Sequence, residues 1–244
     1  MKFDLYLDGA GWRMNLGNYL YSSPLLATGD IYQFGVWDGF SMQVLGGIIH
    51  LINEQTLLQK NTPTFYGFDI FTGMPTEINE PDKQIDKPGT FNLLDEYNTT
   101  DITVALSKLT DDITSKYISP SNLVLTQGLV EQTLPNFTNP NKPALYIDMD
   151  LDIYSPSKYT LQHLIKNNII VVGTIIGYDD WNQNHNKYPL YSNGESRAHK
   201  EVCEEFEMHC SLLFETPNQQ QAAFLVSRID KNPCNARYDN ILYI

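Results

Sequence analysis

The sequence predicts an α/β chain whose mostly parallel sheet carries helices on both faces. Short apolar runs alternate with stretches of helical spacing along most of the chain, the pattern of strands joined by crossover helices. The clearest helical stretch, 41–60, places Met42, Leu45, Ile48, Ile49 and Ile52 on one face. Glycines or acids follow several of the apolar runs, and ligands of such sheets collect just beyond the carboxyl ends of the strands.

In order, the expected elements begin with a strand over 30–37 and the helix over 41–60. A second strand, 64–70, is stopped by the turn FTGMP with its Gly and Pro. The polar stretch 76–99 reads as a loop or lid, followed by a helix over 101–117 and a short strand over 122–128. A strand over 144–148, a helix over 157–168 and a long apolar strand over 169–180 come next. A helix over 196–208 and a last strand over 221–229 complete the series. No internal repeat interrupts the alternation, so residues 1–244 read as one domain, a size sufficient to bury a substantial core.

Composition removes several classes of function. Sixteen basic residues against 29 acidic ones leave a net charge of −13, the wrong sign for gripping a phosphate backbone, so nucleic acid is not expected as a partner. The longest apolar run, near 169–178, is broken by Gly173 and Thr174 and is too short to span a bilayer, so no membrane is expected. The opening MKFDLYLDGAGWRMN carries acids and an Arg where a secretory leader has its apolar centre, which points to the cytoplasm. Cys203, Cys210 and Cys234 lack metal-type spacing and are an odd number, so they read as reduced and structural.

Two features point to chemistry. Gly35 and Gly39 sit at a strand-to-helix junction with Ser41 at the helix start, where a missing Cβ permits a tight turn and free N–H groups favour an anion. The spacing is not the three-glycine dinucleotide fingerprint. Asp69 ends the next strand, where a carboxylate is placed to accept hydrogen bonds from the vicinal hydroxyls of a ribose. The second feature is ALYIDMDLDIY, in which Asp148, Asp150 and Asp152 share one side of an extended chain. Asp179 and Asp180 close the following apolar run and would reach the same sheet edge. Carboxylates so crowded raise one another's pKa unless a cation sits among them, and oxygen ligands without His or Cys suit Mg²⁺, Mn²⁺ or Ca²⁺.

QFGVWDGFS, GFDIFTGMP, QGLVEQTLP, IDMDLDIYSPS and GYDDW, in that order, resemble the class I S-adenosylmethionine-dependent O-methyltransferases of the macrocin O-methyltransferase group. The IDMDLDIY and GYDDW pieces are also similar to the cation-dependent catechol and caffeoyl-CoA O-methyltransferases. The resemblance spans about 30–228 and implies a three-layer Rossmann-like methyltransferase fold that methylates a hydroxyl of a sugar or natural product. It implies that Gln33, Gly35, Gly39 and Ser41 hold the methionine part of S-adenosylmethionine, that Asp69 binds its ribose and that Gly128 lies near its adenine. It further implies a divalent cation, Mg²⁺ above all, on Asp148, Asp179 and Asp180; matching on Tyr154 and Pro156 instead would make Asp150 the first ligand.

The sequence departs from the family at Gln33, where an acid is usual, and at Leu151, where the catechol-type enzymes carry a basic Lys. Asp148 or Asp150 is therefore the expected proton acceptor, with His185 a weaker candidate. The segment 1–29 and the loop 76–99 are the expected acceptor lid, and relatives commonly assemble as homo-oligomers. Two other functions compete. A strand followed by DMD or DLD also resembles the metal-binding acids of nucleotide-sugar glycosyltransferases, and Gln33 with the missing Lys leaves room for a non-catalytic cofactor-binding protein on the same fold.

Overall fold

The computed structural model describes residues 9–55, 62–75, 87–137, 142–182 and 189–231. Seven strands form one sheet: β1 Asp30–Phe34, β2 Phe65–Asp69, β3 Leu123–Gln127, β4 Ala144–Met149, β5 Ile175–Tyr178, β6 Met208–Glu215 and β7 Ala222–Ile229. Their order across the sheet is β3-β2-β1-β4-β5-β7-β6. β1 to β5 run parallel, and β7 lies antiparallel between β5 and β6. The helices are α1 Gly17–Tyr21, α2 Phe40–Gln55, α3 Leu93–Glu96, α4 Ile102–Ile113, α5 Val130–Thr133, α6 Tyr154–Lys166 and α7 Gly194–Phe206. A 3-10 stretch, Gly9–Leu16, precedes α1.

Every residue of β1 and β4 is buried, because helices cover both faces of the sheet centre. Side chains of β1 alternate between the two cores: Tyr32 and Phe34 join Ile147, Leu161 and Val202 on the face covered by α6 and α7. Ile31 joins Leu45, Ile48, Leu109, Trp12 and Leu16 on the face covered by α2, α4 and the N-terminal turns. Each such side chain taken fully out of water contributes about 1.5–3 kcal/mol. The strand order reverses between β1 and β4, so a crevice opens at their carboxyl ends, the place where doubly wound sheets bind ligands.

Two expectations change. The apolar run 169–180 is a strand only over Ile175–Tyr178. Ahead of it Thr174 bonds back to Val171 through both its backbone and its hydroxyl, and Gly173 takes a positive φ, so the first half of the run is a turn. Met208–Glu215, expected as a helix end and loop, is strand β6; Glu207 caps α7 in the left-handed region and turns the chain back onto the sheet edge. In the N-terminal segment, of which residues 1–8 lie outside the described residues, Trp12, Leu16 and Leu20 pack into the core at a helical spacing while Arg13 borders the cavity described below. Of the other lid segment, residues 76–86 lie outside the described residues, as does His185, while Asn92 caps the short helix α3. Among the described residues, no helix is long and apolar enough to cross a membrane.

Candidate functional site

One cavity of about 460 Å³ lies at the β1/β4 crevice. It is bounded by the turn after β1 (Gly35, Trp37, Ser41), by Asp69 and Gly128 at the ends of β2 and β3, and by the acids Asp150, Asp152, Asp179 and Asp180. Its size is that of a small-molecule site.

The turn is shaped by a backbone crossing. The Asp150 N–H donates to Phe34 O as β4 runs past β1, and a Cβ on Gly35, whose φ is +85°, would lie 1.8 Å from Asp150 O. Gly35 is thus required by the protein's own chain. Gly39 does not line the cavity: its Cβ would meet Ile113 Cγ1 at 2.5 Å, so this glycine seats α4 against the turn. Asp69 organises the same turn. Its Oδ2 accepts the Val36 and Trp37 N–H groups at 2.7 and 2.9 Å, and its Oδ1 accepts Phe71 N–H at 2.6 Å. Asp69 lines the cavity with one lone pair of Oδ1 still unused. Trp37 and Phe91, ring centroids 5.1 Å apart, form a wall beside it. Gln33 is buried, donates through Nε2 to Gly35 O, and keeps Oε1 without a protein partner.

The acid end is organised by a residue that the sequence reading missed. Arg13 is fully buried; its Nε donates to both oxygens of Asp148, at 2.8 and 3.1 Å, while NH2 reaches Asp150 Oδ2 at 3.3 Å and NH1 reaches Asp179 Oδ1 at 3.4 Å. The guanidinium stands 4.8 Å from the Trp12 ring centroid, and Trp12 Nε1 donates to Asp179 Oδ1 at 2.5 Å. Burial opposes the charge on Arg13, but Asp148, Asp179 and Asp150 more than offset it and hold the group protonated.

Asp148 also accepts from Tyr146 OH and does not line the cavity. β4 ends at Met149, and Asp152 adopts a positive φ, so the three acids do not continue along one strand edge. Asp148 stays below the cavity floor while Asp150 and Asp152 enter it. The expected cation trio Asp148, Asp179 and Asp180 therefore does not fit a divalent ion as placed. A guanidinium already lies between Asp148 and Asp179, and both oxygens of Asp148 are taken. Asp148 is likewise shut off from any substrate proton, which leaves Asp150 of the two expected bases.

Glu195, fully buried on α7, supports the acid loops by accepting the Leu151 N–H at 2.9 Å and the Asp180 N–H at 3.2 Å. Burial, compounded by Asp179, pushes the Asp150 carboxyl well up. Burial, then Asp152 and Glu195, does the same to Asp180. Glu195 is raised by burial above all. The crowded acids at this end of the cavity are thus driven to hold protons, with Arg13 their fixed counter-charge.

Gly35, Ser41, Asp69, Gly128, Asp150, Asp179 and Asp180 are brought to one cavity, whereas Gln33, Gly39 and Asp148 lie behind it. Trp12 and Arg13 were legible only as a helical apolar spacing, Trp12, Leu16 and Leu20, with a basic residue beside it.

No protein-family model matches the chain, and no curated protein sequence matches it. Solved structures do. The calicheamicin methyltransferase CalS11 superposes with a TM-score of 0.62 at 23% identity, covering 86% of this chain and 76% of that one. A second CalS11 structure, an apo form described as a TDP-rhamnose 3'-O-methyltransferase, gives 0.55 at 22%, covering 86% and 77%. TomG of Streptomyces achromogenes, an O-methyltransferase of tomaymycin synthesis solved with S-adenosylmethionine, gives 0.51 at 11%, covering 92% and 83%. The chain therefore shares the fold of these methyltransferases.

Proposed function

We propose that this protein is an S-adenosylmethionine-dependent O-methyltransferase acting on a hydroxyl of a small molecule, with a sugar or glycosylated natural product as the acceptor class. The observation that carries this reading is the single cavity that joins the glycine turn and Asp69 to Asp150, Asp179 and Asp180. The residues fit the methyl donor. Asp69 lines the cavity at the β2 end with an Oδ1 lone pair left for a ribose hydroxyl. The acid end favours a positively charged ligand. CalS11, whose own described acceptor is a nucleotide-linked sugar, supports the acceptor class.

S-adenosylmethionine supplies an electrophilic methyl group on a sulfonium. The chain has to position an acceptor hydroxyl in line with it and remove the proton. Asp150 is suited to that task, since it faces the cavity and its raised pKa makes it a stronger base than an ordinary carboxylate. Arg13 holds the Asp150 carboxylate from behind. Because Arg13 lies between Asp148 and Asp179, a divalent cation would have to be held by the alternative set, Asp150 with Asp179 and Asp180, which face the cavity.

Isothermal titration with S-adenosylmethionine and S-adenosylhomocysteine, with and without Mg²⁺, tests the proposal. Micromolar binding is expected, independent of Mg²⁺ and lost in Asp69→Ala. Transfer of label from methyl-labelled S-adenosylmethionine to nucleotide sugars or glycosides would follow. Absence of binding by either ligand refutes the reading, and binding of a nucleotide sugar alone would favour glycosyl transfer.

A further inference from the structure

Away from the cavity, His199 and Cys203 stand one turn apart on α7, and Cys210 lies near the start of β6, just past the turn that ends the helix. One ligand atom from each lies within 4.8 Å of the other two. The sequence spacing hid this grouping, because a helix and a strand register had to bring the three together. The register irregularity between His209 and Cys210 is of the kind that re-aims a strand side chain, and Cys210 packs against the same core as Cys203.

The histidine is held as a metal-bound histidine is held. Its Nδ1 pairs with Tyr178 OH at 2.8 Å, which orients the ring and presents Nε2 to the Cys203 sulfur at 3.4 Å. In a tetrahedral zinc site, bonds of about 2.0 Å to nitrogen and about 2.3 Å to sulfur set N and S about 3.5 Å apart and two sulfurs about 3.8 Å apart. The observed spacing meets that geometry with little movement. Among the described residues, no further His, Cys, Asp or Glu joins the group.

We infer that His199 Nε2 and the sulfurs of Cys203 and Cys210 form a Cys2His site for Zn²⁺, with the fourth position taken by water. The ion ties the end of α7 to the edge strand β6. The same helix carries Glu195 one turn before His199, so the tie also steadies the N–H groups of Leu151 and Asp180 at the acid end.

The test is titration of the full-length, thiol-reduced protein with Co²⁺, a spectroscopic substitute for zinc. One equivalent is expected to produce thiolate-to-cobalt charge transfer in the near ultraviolet and intense tetrahedral bands in the visible, both abolished by one equivalent of Zn²⁺. Cys203→Ser and Cys210→Ser should each lose the signal while keeping a native circular dichroism spectrum, and Cys234→Ser should keep it. Tyr178→Phe should weaken zinc binding about 10- to 100-fold by freeing the imidazole. A reduced protein that shows no charge-transfer band overturns the inference, as does a band that survives the Cys203→Ser/Cys210→Ser double substitution. The readout does not involve methyl transfer, so it stands or falls separately from the proposed activity.

Discussion

Replacing Arg13 with methionine keeps most of the side-chain stem and removes the charge that, among the described residues, neutralises the fully buried Asp148 carboxylate. Removing one partner of a buried ion pair costs about 3–5 kcal/mol, because the other is left charged in a medium that cannot solvate it. The weaker contacts to Asp150 and Asp179 add little, since both of those side chains reach the cavity and its water. For a chain of this length each kcal/mol shifts the midpoint by roughly 2–4 °C, so Arg13→Met should lower Tm by about 6–20 °C at pH 7. The loss should shrink in acid. Without Arg13, burial and the neighbouring Asp179 outweigh the Tyr146 hydrogen bond and the folded pKa of Asp148 rises further above the unfolded value, so the variant holds a proton that the unfolded chain has released. Stability then falls as pH rises from about 4 towards neutrality and is regained as pH drops. Adding Asp148→Asn to Arg13→Met should recover most of the stability at pH 7. Thermal and urea denaturation of the three proteins between pH 5 and 8 supply the measurement. A cost below about 1 kcal/mol, or one that does not vary with pH, would refute the reasoning.

Asp150→Asn should lower kcat by about 10²–10⁴-fold with little change in S-adenosylmethionine affinity, measured by single-turnover transfer and titration calorimetry; an unchanged rate would remove Asp150 as the base. Gly39→Ala forces a Cβ to within 2.5 Å of Ile113 at a φ of +76° and should cost about 1–3 kcal/mol in urea denaturation. The ligand-free protein should lose stability as pH rises from 5 to 8, because Asp150, Asp180 and Glu195 hold protons in the folded state that the unfolded chain has given up. S-adenosylmethionine should accordingly raise Tm more at pH 8 than at pH 5, and differential scanning fluorimetry reads both effects.

Local pattern carried the centre of the sheet. The strands at β1, β2 and β4 are short, apolar and bounded by Gly or Asp, and α2 shows its buried stripe in Met42, Leu45, Ile48 and Ile52, so periodicity and turn chemistry agree there. The same pattern marked Gly35, Asp69 and the acids after β4 and β5 as neighbours, because parallel strands deliver their carboxyl ends to one edge, while Gly128 was reached through the family resemblance. What depended on contacts between distant segments was not legible. The edge strand β6 alternates weakly in burial and exists through pairing with β7. Asp148 and Asp150 look equivalent in sequence and differ because the chain leaves β4 at Met149 and because Arg13, 135 residues earlier, closes on Asp148 from the opposite direction. His199, Cys203 and Cys210 likewise become one cluster only after α7 reverses into β6. Periodicity within one segment determined the elements and the edge where they present polar groups. Which of those groups is neutralised, buried or left facing the cavity was decided by side chains from other segments, whose fields act over a few ångströms of space regardless of their separation along the chain.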